Sequence, residues 1–193
     1  MTDAVITDNV NLVKQLMYSR VYFNEKINCV AITYESYNIL NFKKSLFTLD
    51  ENIFDIACKN DDILTLQWLK RNNCPVSKYI GSIAAKYGNL DIIKWLHHND
   101  YILESNTWIN ASKYGYLSIL KWAHKNGYEF DKDIIVNTRS AKVLKWLYSI
   151  GFKANEMSRI QYGRHILWDI DTMEWLYKNG CSITRNDILS ATD

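Results

Sequence analysis

A chain of 193 residues, 48% hydrophobic and 23% charged, is long enough for one domain with a sizeable core. Its formal charge of +2 is too small to argue by itself for nucleic acid or an anionic membrane as partner. The opening MTDAVITD has no basic segment followed by an apolar one, and no apolar run reaches the length of a membrane span.

Four cysteines (Cys29, Cys58, Cys74 and Cys181) do not make a disulfide scaffold. Reduced thiols in the cytosol or nucleus are expected, with the protein neither secreted nor membrane-bound. Asn, Ile, Lys and Tyr supply 71 residues; they share A/T-rich codons, which speaks to the origin of the gene and not to chemistry.

Along the chain the same helical phrase returns. AAKYGNLDIIKWLHHND (84–100) and ASKYGYLSILKWAHKNG (111–127) start 27 residues apart and agree at 10 of 17 positions. With Trp95 as anchor, equivalents fall at Gln15, Phe42, Trp68, Trp122, Trp146 and Trp175. A small residue stands eleven before the anchor at Ala4, Ala31, Ala57, Ala84 and Ala111. Five before it stand Val10, Tyr37, Ile63, Leu90, Leu117, Ala141 and Ile170.

Five after the anchor come Asn73, Asp100, Gly127, Gly151 and Gly180, residue types that tolerate a left-handed helix end. Apolar Cys74, Tyr101, Tyr128, Phe152 and Cys181 follow them. Asn24, Ser77, Asp131, Asn155 and Thr184, nine after the anchor, are expected N-caps, as is Asp50 one residue earlier. Each unit therefore reads as a helix of about two turns, a tight turn, a second helix and a short loop.

Helices this short are marginal alone, so each pair must bury its apolar stripe against its neighbours. About seven such units occupy residues 1–193 as a single array, closed by a C-terminal capping helix over 184–193. Between Asp131 and Trp146 three residues are lost, and around GRHILWDI two are gained; a local bend is expected there.

The order of two alanines, two variable residues, glycine, a polar residue, leucine and an apolar stripe in 84–100 and 111–127 resembles the ankyrin repeat. The usual ankyrin period is 33, and the Thr-Pro-Leu-His opening is replaced here by Asn52-Ile53-Phe54-Asp55 and Tyr79-Ile80-Gly81-Ser82. The resemblance implies an all-α solenoid of stacked helix-turn-helix repeats with trimmed or absent β-hairpin fingers. Repeats this short, with a tryptophan in the second helix, are similar to those of giant DNA viruses of amoebae.

That resemblance also implies a non-enzymatic protein-binding module or adaptor. In the family, the variable pair before the turn glycine faces the concave surface. Here the pair is Lys59 and Asn60, then Lys86 and Tyr87, then Lys113 and Tyr114, with Thr33 and Tyr34 earlier. The expected partner is a protein, from a host if the chain is viral, met by a monomer. A structural or self-assembling role and a nucleic-acid-binding solenoid stand as alternatives.

No catalytic, cofactor or metal residue is assigned. His97 and His124 share a column with Lys70, Tyr148 and Tyr177, expected to be a solvated face. Lys94, Lys121 and Lys145 are expected on an outer face. The tryptophan column and Trp108 are expected in the core, as are the cysteines.

Overall fold

The computed structural model describes residues 2–18, 31, 50–152 and 170–180, and these are helical, with no strand among them. The expectations placed on Phe42, Tyr37, Asn24, Thr33, Tyr34, Asn155, Thr184, Cys29, Cys181 and the capping helix fall outside the described residues.

Two kinds of helix alternate. First helices are α1 (Thr2–Ile6), α3 (Glu51–Lys59), α5 (Ile80–Tyr87), α7 (Ser105–Lys113) and α9 (Asp133–Asn137). Second helices are α2 (Val10–Tyr18), α4 (Ile63–Arg71), α6 (Leu90–His98), α8 (Leu117–Lys125), α10 (Ala141–Ser149) and α11 (Ile170–Lys178). Every second helix in this set has nine residues, starting five before its anchor and ending three after it. Each of α3, α5 and α7 packs on its own second helix. First helices pack in sequence, α3 on α5, α5 on α7 and α7 on α9, and α6 touches α8.

The equal lengths follow from how the helices end. Asn73, Asp100, Gly127, Gly151 and Gly180 all take positive φ, from 54° at Asn73 to 111° at Gly151. The next N–H then reaches back five residues: Cys74 to Leu69 O at 3.0 Å, Tyr101 to Leu96 O at 3.0 Å, Tyr128 to Ala123 O at 3.1 Å. This satisfies a carbonyl that the helix end would leave bare.

Four of the first helices, α1, α3, α5 and α7, close in the same way. Asp8, Asp61, Gly88 and Gly115 have positive φ, and the residue after each donates to the alanine of the small column, as from Asn89 to Ala84 O at 3.0 Å. Ala4, Ala57, Ala84 and Ala111 are thus both helix-closing acceptors and buried contact points between neighbouring helices.

Asn72, Asn99, Asn126 and Asn179, each four after an anchor tryptophan, donate a side-chain N–H to that tryptophan's carbonyl at 2.7 Å. In the remaining tryptophan unit the hydroxyl of Ser149 does this for Trp146, also at 2.7 Å.

Asp50 caps α3, accepting from the Ile53 N–H at 3.1 Å. Ser77 and Asp131 lie farther out than expected: α5 begins after Tyr79 and α9 after Lys132. Ser77 Oγ instead accepts from the Tyr79 N–H at 3.2 Å, inside the loop.

The core differs from the expected one in a single respect. Leu69, Leu96, Ala123, Leu147 and Leu176, one past the anchors, are buried; the tryptophans Trp68, Trp95, Trp122, Trp146 and Trp175 are half-buried. Ile92 with Ile93, Ile119 with Leu120 and Val143 with Leu144 complete the buried stripe. Each such side chain contributes about 1.5–3 kcal/mol by leaving water. Trp108 is buried, as its position on α7 requires, its ring 4.6 Å from that of Tyr128.

At the sixth unit the three missing residues shorten the first helix to the five-residue α9. Ser112 Oγ of α7 donates to Ile134 O at 2.8 Å and ties the short helix to its neighbour.

Gly88 and Gly127 share a left-handed backbone but not a neighbourhood. A Cβ on Gly88 would run into the Tyr116 ring, whereas one on Gly127 meets nothing within 4 Å. In urea unfolding, Gly127→Ala is expected to cost about 1–2 kcal/mol for the backbone alone. Gly88→Ala is expected to cost about 1–3 kcal/mol more, from overpacking against the ring. Equal losses in the two variants would remove the role given to Tyr116.

Candidate partner-binding surface

The last turn of a first helix is a place where lysine is favoured, because its charge complements the bare carbonyls and the helix dipole. Lys59, Lys86 and Lys113 all occupy it, on α3, α5 and α7. Since those three helices pack in sequence, the three lysines stand at equivalent ends of adjacent helices. Lys59, Asn60 and Lys86 are exposed and Lys113 is half-exposed. Tyr87 and Tyr114 keep 44% and 45% of their surface in water.

The charged heads and rings are associated. Lys86 Nζ lies 5.7 Å from the Tyr87 ring centre and Lys113 Nζ lies 5.9 Å from that of Tyr114, the outer limit of a cation–π contact. Neither lysine forms an ion pair among the described residues. The pair on α3 is different: asparagine replaces tyrosine, and Lys59 shares its field with Asp55 one turn earlier on the same helix. The structure therefore brings Lys86, Tyr87, Lys113 and Tyr114 into one repeated motif and leaves Lys59 and Asn60 as a weaker version of it.

The opposite seam is aromatic, and sequence reasoning did not anticipate it. His97 meets the Trp122 ring edge-on at 5.3 Å, His124 meets Trp146 at 5.9 Å and Tyr148 meets Trp175 at 5.1 Å. Thus, after Trp95, Trp122 and Trp146, the residue two past the anchor leans on the next unit's tryptophan. His97 Nδ1 is also hydrogen-bonded to the Tyr128 hydroxyl at 2.8 Å; His97 and Tyr148 are half-buried, whereas Lys70, His124 and Tyr177 are exposed as expected of this column. The regular recurrence of histidine or tyrosine two before an asparagine-capped helix end was the available signal.

In the outer lysine column, Lys94 pairs with Asp91 at 2.7 Å and Lys145 Nζ lies 6.0 Å from the Trp175 ring centre. A groove of about 440 Å³ lies between the chain after α8 and the chain after α10, lined by His124, Tyr128, Glu129, Phe130, Ile150 and Phe152.

Among the described residues no three His, Cys, Asp or Glu side chains converge as a metal site would require. Burial pushes the Cys58 thiol up, and pushes Cys74 up to about 12 with Asp50 adding to the effect. Both therefore stay as neutral thiols, poor nucleophiles. Each sulfur donates to a carbonyl, Cys58 to Ile80 at 3.8 Å and Cys74 to Asp50 at 3.2 Å. No helix among the described residues is long and apolar enough to cross a membrane.

The class these features define is an all-helical protein whose paired helices follow a sequence repeat. Compared with known proteins, the chain matches no family model, no curated protein and no solved structure.

Asp55 gives a test of the electrostatics at the α3 end of the row. Its Oδ1 is buried without a hydrogen-bond partner among the described residues. Burial raises its pKa above the usual carboxylate value; Lys59 opposes the shift, while Glu51 and Asp50 add to it. A carboxyl raised in the folded state favours folding when protonated and opposes it when ionised, so stability falls as pH rises through the folded pKa. Asp55→Asn is therefore expected to melt above the wild type at pH 7. The difference should shrink as the pH falls towards the unfolded carboxylate value near 3.8. A variant melting below the wild type at pH 7 would show that the ionised carboxylate has a stabilising partner.

Proposed function

We propose that the chain is an array of short ankyrin-like repeats, read as an α-solenoid with trimmed fingers, that works as a protein-binding module or adaptor. The observation that carries this reading is the repetition of an exposed lysine–tyrosine pair at the same end of two packed helices, α5 and α7. Tyrosine offers rigid amphipathic area at low conformational cost, and tyrosine is enriched where partners bind tightly. Lysine beside it adds charge that no carboxylate among the described residues neutralises by an ion pair.

The buried stripe and the aromatic seam hold the helices; the lysine–tyrosine ends lie outside the buried core. A surface that is regular, exposed and dispensable for the core is free to be shaped by a partner. Binding of this kind needs no cofactor and no catalytic group, and the helix row supplies the rigidity that lowers the cost of ordering on association.

The test is affinity capture from lysate with wild type and with Lys86→Glu/Tyr87→Ala/Lys113→Glu/Tyr114→Ala, the variant first shown by circular dichroism to be folded. A partner retained after nuclease treatment and reduced at least tenfold in the variant is the expected result. Capture that survives all four substitutions would move the binding face elsewhere. Recovery of nucleic acid alone, lost on nuclease treatment, would replace the protein-binding reading with a nucleic-acid one.

A further inference from the structure

The spacing of the lysine–tyrosine pairs defines the backbone that would fit them. Packed helices lie about 8–10 Å apart axis to axis. Since α3, α5 and α7 pack in sequence and each carries its lysine in the last turn, the backbone positions of the lysines recur along the row at about that interval. The rigid part of the pattern is tyrosine, at the equivalent place on α5 and α7, with its ring partly in water.

An extended strand presents same-face side chains about every 6.6–6.8 Å, too short for this interval, and then about every 13 Å, too long. An α-helix returns to the same face about every 5.4 Å. A polyproline II helix has three residues per turn and a rise of about 3.1 Å, so same-face side chains recur about every 9.3 Å. Its surface is also the kind that docks on aromatic platforms, and its backbone is already ordered before binding.

We propose that this surface accepts a segment in polyproline II conformation bearing a carboxylate at every third residue, the carboxylates meeting Lys59, Lys86 and Lys113 and the intervening prolines lying on Tyr87 and Tyr114. The inference rests on the lysine–tyrosine ends being the partner surface. It adds the partner's chemistry, acidic and proline-containing, and its register. Asn60, in place of the third tyrosine, makes the α3 end the polar end of the track.

The experiment uses fluorescein-labelled 15-residue peptides of one composition, five Glu, five Pro and five Ala, in two orders. One places Glu at every third position; the other places Glu at every second position and then runs out. Anisotropy titrations are made with the full chain, with Lys86→Glu/Lys113→Glu, with Tyr87→Ala/Tyr114→Ala and with Lys121→Glu/Lys125→Glu, the last carrying the same charge change on α8. Lys121 and Lys125 are exposed.

The expected result is at least fivefold tighter binding of the three-residue order, lost in the first two variants and kept in the third. Equal binding of the two orders would overturn the register, and equal loss in the α8 variant would reduce the surface to unspecific charge. A labelled DNA strand that competes as well as the three-residue peptide would overturn the peptide class. If neither peptide binds while the captured partner is still lost in the fourfold variant, the acidic-segment inference fails and the surface reading stands.

Discussion

Apart from the short α9, the helix ends of the described repeats between Asp50 and Phe152 each turn on one residue forced into left-handed backbone. A nine-residue helix makes too few internal hydrogen bonds to persist by itself, so the fold depends on returning the chain quickly to where a neighbour can cover it. Positive φ at Asp61, Gly88 and Gly115 inside the pairs, and at Asn73, Asp100 and Gly127 between them, performs both returns. The same geometry hands the following N–H to a waiting carbonyl, so the reversal leaves no bare acceptor at that point. Alanine is the residue that permits it on the first helix: small enough for the next helix to approach, and positioned so that its carbonyl receives the bond.

The helices then meet along two unlike seams. On the inner stripe, leucine and isoleucine are closed off completely, and this is where apolar burial acts. On the outer seam, half-buried tryptophans are approached edge-on by histidine or tyrosine from the preceding unit, a geometry that suits the ring quadrupole and leaves polar edges near water. The asparagine or serine that seals the tryptophan's own carbonyl fixes the backbone under the ring.

Much of this was legible in the sequence because it recurs. The anchors gave the period, and the apolar column five before them turns out to be where the second helices begin, as at Leu90 of α6 and Leu117 of α8. The left-handed ends at Asn73 and Asp100 were readable from side-chain type in a glycine column. The tryptophans were misplaced because helical spacing tells which residues share a stripe but not where the stripe meets water; Leu96 and Trp95 are adjacent in that stripe, and only packing separates them. The asparagines that cap the tryptophan carbonyls were hidden in a composition rich in asparagine. The lysine–tyrosine ends were visible as a pattern, but the burial of Asp55 one turn before Lys59 was not, since an i,i+4 charge pair says nothing about how deeply the carboxylate is buried.

The aromatic seam has a consequence for how such a chain can change over generations. Each unit from Trp95 to Trp175 carries a tryptophan and, two residues on, a histidine or tyrosine, so the faces of such a unit are complementary to copies of itself. Duplicating a stretch of about 27 codons would insert a unit that finds a fitting neighbour both before and after it. Deleting one would leave the flanking units able to meet. Length thus becomes a variable that can drift in whole units without a new interface having to be invented, while the exposed helix ends change their wording from copy to copy.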